Sequence, residues 1–187
     1  MQCKRFLPFV LLMFAACGTD ATTPTTSDAA ENLAADQIIY GLQHVMTKDG
    51  VRQALLEGDT AYLRQIGEQI DLIGVRLTFF DENGRQSGTL TSNTGTYDLR
   101  GSSMVAEGNA VLRTDGEQGE RVIETEKLHF DVQGDRLWSD EPVVMREGGS
   151  VVRGTSFRSD ARFQNVTVTR AQTSGTAPPS REGGISF

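Results

Sequence analysis

Among the 187 residues, the side chain best equipped for chemistry is Cys17. Its thiol becomes a strong nucleophile once ionised. It stands directly behind Ala15-Ala16, which follow a short run, Phe6 to Phe14, that is apolar apart from Pro8. The remaining reactive groups are sparse. There are two histidines, His44 and His129, and one further cysteine, Cys3. A metal site needs more His or Cys ligands than this. His129 lies between Leu128 and Phe130, so strand alternation sends it to the face opposite theirs, towards solvent. His44 shares parity with Ile38, Tyr40 and Leu42 and would stand near the mouth of an interior. No glycine-rich phosphate loop precedes a helix, and no nucleophile elbow is present. Asp81-Glu82, Glu117 to Glu120 and Asp140-Glu141 border turns and read as solvated loop charge. The sequence therefore offers no catalytic constellation and calls for no cofactor and no metal.

Cys17 belongs instead to an export signal. Lys4 and Arg5 form a basic stub, the apolar run follows, and the small residues mark a cleavage point. Nine residues are too few to cross a hydrocarbon core about 30 Å thick. Phe14-Ala15-Ala16-Cys17 further resembles a bacterial lipobox. That resemblance implies cleavage before Cys17, diacylglycerol on its sulfur and acylation of the new amine. Two or more chains hold a protein on a membrane firmly, where one does not. The alternative is an ordinary cleaved signal that leaves Cys17 as a free thiol. On the lipobox reading residues 1–16 are signal, and 17–35 are a tether rich in Thr, Ala, Pro and Asp, with no large apolar residue before Leu33.

The formal charge is −7, and losing Lys4 and Arg5 with the signal leaves −9. An acidic chain is a poor partner for nucleic acid and for anionic lipid heads. Cys3 leaves with the signal and Cys17 is taken by lipid, so stability must come from a core and from strand pairing rather than a disulfide. Residues 172–187, with Thr, Ser, Gly and two prolines, read as a disordered tail. The folded domain spans 36–171, and nothing in it has the length and apolarity of a membrane helix.

Within that domain the apolar period is two, the signature of half-buried strands. Ile38, Tyr40 and Leu42 share a parity, as do Ala54, Leu56, Gly58, Thr60 and Tyr62, then Val75, Leu77 and Phe79, then Leu128, Phe130 and Val132. Asp49-Gly50, Asn83-Gly84, Arg100-Gly101, Asp115-Gly116, Gly134-Asp135 and Gly148-Gly149 supply turn chemistry between them. Val51 to Gln69 also fits a helix, but Gly58 and the alternation of Thr60-Ala61-Tyr62 favour strands. Aromatic positions 62, 97 and 130 recur at intervals of 35 and 33 residues, followed by 157. A period in this range marks stacked supersecondary units. The expected fold is all-β: an antiparallel twisted open jellyroll of stacked hairpins, folded like a taco around an apolar interior.

Leu90-Thr91-Ser92, Gly95-Thr96-Tyr97-Asp98, Met104 and Glu107-Gly108-Asn109-Ala110-Val111 resemble the repeat of the lipopolysaccharide-transport jellyroll superfamily. Tyr40-Gly41-Leu42, Gly50-Val51-Arg52, Asp59-Thr60-Ala61-Tyr62, Gly74-Val75 and Thr78-Phe79 resemble its LptC family, and Phe157 to Asp160 with Val166-Thr167-Val168 fit that family's last strands. The resemblance implies a periplasmic bridge component without catalytic residues. It would take lipopolysaccharide from an inner-membrane transporter of the LptB/LptF/LptG type and pass it to a bridge protein of the LptA type. Such proteins usually carry an amino-terminal membrane helix, which the lipobox replaces here. Gly18 after the cysteine suggests the outer membrane by the enteric sorting scheme, whereas the family role favours the inner one.

The candidate lipid groove comprises Tyr40, Leu56, Tyr62, Leu77, Phe79, Tyr97, Met104, Val111, Leu128, Phe130, Met145 and Phe157. Interspersed small residues, Ala54, Gly58, Ala106 and Gly154, would leave room inside. Ile38 and Leu42 in the first strand and Val166 and Val168 in the last are candidate partner edges, because unpaired strand edges invite strand addition. The same aromatics would equally fill a plain core. Two other functions remain open: an envelope lipoprotein that scaffolds by strand pairing, and a carrier of a different lipid.

Overall fold

The structure is a computed structural model that describes residues 35–64 and 68–175. The signal, Cys17, the tether through residue 34 and residues 176–187 lie outside the described residues. Strands β1 (Gln37–Lys48), β2 (Val51–Arg64), β3 (Gln69–Phe80), β4 (Gln86–Asp98), β5 (Ser103–Gly116) and β6 (Gly119–Asp131) are long. Shorter ones follow: β7 (Arg136–Ser139), β8 (Val143–Glu147), β9 (Ser150–Gly154), β10 (Ser156–Ser159), β11 (Thr167–Thr169) and β12 (Gln172–Gly175). They form one antiparallel sheet that does not close on itself. The stretch from Val51 that also fitted a helix is strand over Val51–Arg64, with a turn at Glu68 before β3 begins at Gln69.

Local chemistry sets the hairpins. Asp49 and Gly50 have φ of 51° and 79°, as do Gly148 and Gly149 at 55° and 83°, the double left-handed turn that suits strand twist. The turn expected at Asp115-Gly116 lies slightly later. Both residues still pair, with Glu120 and Gly119, so Glu117-Gln118 make the loop.

A crease crosses every long strand. In β2 the buried positions are 54, 56 and 58, then 61. In β3 they are 70 and 72, then 75, 77 and 79. In β4 they run 88, 90 and 92, then 95 and 97, and in β6 123 and 125, then 128 and 130. Each of these four strands thus changes which parity faces inward at mid-length, whereas β5 keeps one parity, 104 and 106, then 110, 112 and 114. Flanking pairs place Gly41 opposite Asp59, Asp59 opposite Gly74 and Gly74 opposite Asn93. The line continues through Gly108 and Asn109, where β5 carries an extra residue against both neighbours. Gly41, Gly74, Gly108 and Asn109 have positive φ. These breaks bend the strands, as bulges do.

The bend folds the sheet into two halves. The first half holds 42–58 of the first hairpin, the 75–92 hairpin, 110–125, β8, β9 and β12. The second holds the other ends of the long strands with β7, β10 and β11. β6 pairs with β8 in one half and β7 in the other, so β7 and β8 are two parts of one bent strand. β10 with β9, and β11 with β12, repeat this relation. The result is a roll with β1 at one end and β11 with β12 at the other. β12 pairs with β9, so the sheet extends past residue 171, where the sequence placed the end of the folded domain.

Candidate functional site

The interior between the halves is lined by rows of side chains that run across the sheet. One row is Leu56, Leu77, Leu90, Leu112, Ile123 and Met145. The opposing half presents Ile70, Tyr97, Met104, Phe130 and Leu137. Alternation and the crease together aim both rows inward. They meet through aromatic contacts: Phe79 with Phe130 at 5.1 Å and 76°, and His44 with Tyr97 at 5.1 Å and 46°. Burial lowers the His44 pKa and raises that of Tyr97.

Most of the expected groove residues lie in this interior. Leu56, Leu77, Phe79, Tyr97, Met104, Leu128, Phe130 and Phe157 are each 4% exposed or less, and Met145 is partly buried against them. Three do not. Tyr40 is 78% exposed, and Tyr62 is half-buried beside the inward-facing Ala61 and Leu63. Unbroken alternation would place both inside, but the crease at Gly41 and Asp59 inverts the parity before it reaches them. Val111 is half-buried between the inward-facing Ala110 and Leu112. Its parity is opposite to that of Met104 and Ala106, and the extra residue beside Gly108 and Asn109 keeps that parity across the crease, so it faces outward and lines a cleft with Arg76 and Arg113.

The interior is filled. A Cβ on Gly58 would come within 2.8 Å of Leu72 Cδ2, and one on Gly95 within 3.2 Å of Met104 Cε. Of the small residues expected to leave room, Gly58 and Gly154 have no space for a Cβ, which at Gly154 would overlap Val168 Cγ1, and Ala54 and Ala106 are fully buried. Met46, Leu90, Leu112 and Ile123 belong to the same lining and obey the alternation signal. Phe163, 6% exposed, lies in a loop without periodicity, and nothing in the sequence marks it.

His129 lies on the outer face, stacked on Trp138 at 4.9 Å and 8°. Burial is the main cause of its lowered pKa, with Lys127 adding to it. Among the described residues no group of His, Cys, Asp and Glu is arranged to hold a metal ion, and no helix is long and apolar enough to cross a membrane.

The expected edges are partly displaced. Ile38 and Leu42 do lie in the terminal strand β1, with Ile38 exposed and Leu42 turned against the core. Val168 lies in β11, but Val166 precedes that strand and packs against the core. At this end β12 shares the edge.

A creased antiparallel roll with an apolar interior and a free strand edge at each end is an open β-jellyroll. Residues 10–174 match the family described as "Lipopolysaccharide-assembly, LptC-related". The chain belongs to this LptC-related family, whose members are non-enzymatic. The fold is similar to that of LptH from Pseudomonas aeruginosa, described as the LptA-homologous periplasmic component of the lipopolysaccharide transport device. That likeness has a TM-score of 0.52 at 16% identity and covers 66% of this chain and 95% of LptH. No curated protein matches the sequence.

Proposed function

We propose that this protein is a periplasmic bridge component of lipopolysaccharide transport, sheltering acyl chains between its sheet halves and passing them from an inner-membrane ABC transporter towards the outer membrane. The observation that carries this reading is the continuous apolar lining from His44 and Leu56 to Met145, open to extension at both strand edges. Moving a hydrocarbon chain through water costs about 0.8 kcal/mol per methylene, and an apolar interior removes most of that cost. The packed state of the interior means that the halves part to admit a chain. The transporter supplies the energy from its ATPase. Cys17, acylated, holds the domain at a membrane, and the edges at β1 and at β11 with β12 add strands from the transporter and from the next roll.

A photoreactive aromatic at Tyr97 or Phe130 in living cells tests this. Lipopolysaccharide adducts that require ATP hydrolysis are expected there. The outward neighbours Thr96 and His129 should give none, and positions Tyr40 and Val168 should give protein adducts. Equal lipid labelling at Thr96 and Tyr97 would overturn the interior route. The filled interior also favours a strand-pairing scaffold, which predicts protein adducts alone. Adducts of another lipid would make the protein a carrier of that lipid.

A further inference from the structure

The loop from Asp160 to Val166, between β10 and β11, buries residues that a surface connection leaves exposed. Ala161 and Phe163 are 5% and 6% exposed. Phe163 has a φ of 60°, which is costly for a bulky side chain. Asp160 holds it there. One carboxylate oxygen accepts the backbone N–H groups of Arg162 at 3.1 Å and Gln164 at 2.9 Å, the other accepts the Asn165 amide at 2.5 Å, and the Asp160 carbonyl accepts the Phe163 N–H at 3.2 Å. The loop is thus built to drive one ring inward.

That ring crosses from one half of the sheet to the other. It meets Phe79 edge on at 5.2 Å and 89°. It also lies over Gly88, where an added Cβ would stand 2.7 Å from its Cε2. Phe79 in turn meets Phe130, so three rings line up across the interior. Outside, Arg162 pairs with Glu82 at 2.5 Å and approaches Asp135 at 3.9 Å. Arg121 donates to the Phe163 carbonyl at 3.5 Å. Glu82, Phe79, Gly88 and Arg121 belong to the first half or its turns, whereas the loop and Asp135 belong to the second. Gln133 donating to the Thr47 carbonyl at 3.5 Å is another tie across this open side.

We propose that residues 160–166 form a strap across the open side of the roll, and that Phe163 occupies a seat for a saturated acyl chain on Phe79 and Gly88. The proposal rests on the carrier function above. A benzyl side chain and a hydrocarbon chain satisfy the same apolar walls, so one can replace the other at little cost. The outer fastening is an exposed ion pair, worth no more than about fivefold in an equilibrium constant. The φ strain at Phe163 is relieved when the strap lifts.

The experiment uses the full mature chain and spin-labelled stearic acid, with binding read by immobilisation of the label and opening read by amide hydrogen exchange. Arg162→Gln alters only the outer fastening and should bind the probe about two- to fivefold tighter than wild type. Phe163→Ala vacates the seat and should bind more tightly still, provided its circular dichroism remains native. Saturating probe should speed exchange at 161–166 while β4 stays protected. Binding with equal affinity in wild type and Arg162→Gln, and with unchanged exchange at 161–166, would overturn the strap and leave the carrier function standing. No binding by any of the three proteins would overturn both.

Discussion

Phe79 and Phe130 meet edge to face with their centroids 5.1 Å apart, although one belongs to β3 and the other to β6 in the opposite half of the sheet. His44 of β1 and Tyr97 of β4 meet across the interior in the same sense. The halves are therefore joined by contacts between strands that share no ladder hydrogen bonds. Side-chain packing across the interior, rather than the ladder, keeps the folded sheet shut.

Truncating one of these rings should destabilise the domain through lost burial and a residual cavity. Phe130→Ala is expected to cost about 3–5 kcal/mol. The urea midpoint of the purified protein measures it, and a loss under about 1 kcal/mol would mean that the halves are not held by this contact.

The crease has its own weak point at Gly74, with φ of 67°. A Cβ there would overlap the Asp59 carboxylate on the neighbouring strand. Gly74→Ala should cost about 1–3 kcal/mol from backbone strain, with the clash in addition. Gly119→Ala is the control, since its φ of 115° is also positive but nothing lies near. A similar loss in both variants would assign the effect to backbone strain alone.

Acid should loosen the far end of the roll. Arg121 and Glu147 form an ion pair at 2.6 Å, with side chains 12% and 15% exposed. Burial alone would raise the Glu147 pKa. Hydrogen bonds from Arg121 and from the Gln118 N–H outweigh it, and the net shift is below the ordinary 4.5. A depressed carboxylate pKa contributes stability that is present above the unfolded value and is lost as pH falls through the folded one. Wild type should therefore lose stability as pH drops below about 4.5. Arg136 and the Gly134 N–H lower Asp131 likewise, so Glu147→Gln should flatten that slope without abolishing it. An identical slope in both proteins would show that the pair does not couple to folding.

The anchor gives a prediction independent of the fold. Cys17→Ser should abolish incorporation of labelled fatty acid and leave the precursor uncleaved. A wild-type protein that takes up no label would end the lipoprotein reading.

The strands, most hairpin turns and the apolar lining were legible in the sequence because each depends on short-range physics. A period of two follows from the pleat, and Asp49-Gly50 or Gly148-Gly149 carry their turn conformation locally. Leu77, Phe79, Leu128 and Phe130 could be assigned inward because each lies in an uninterrupted half-strand. Tyr40 and Tyr62 could not, because the parity inversion at Gly41 and Asp59 exists only where neighbouring strands align, whereas Val111 faces outward as alternation from Met104 in its own strand requires. The lodging of Phe163 on Phe79 was likewise invisible, since a loop has no period and its ring is buried by residues distant in the chain. Local backbone preference wrote the strands into the sequence. Which face of each strand became the interior, and what closed it, was decided only when the bent sheet packed against itself.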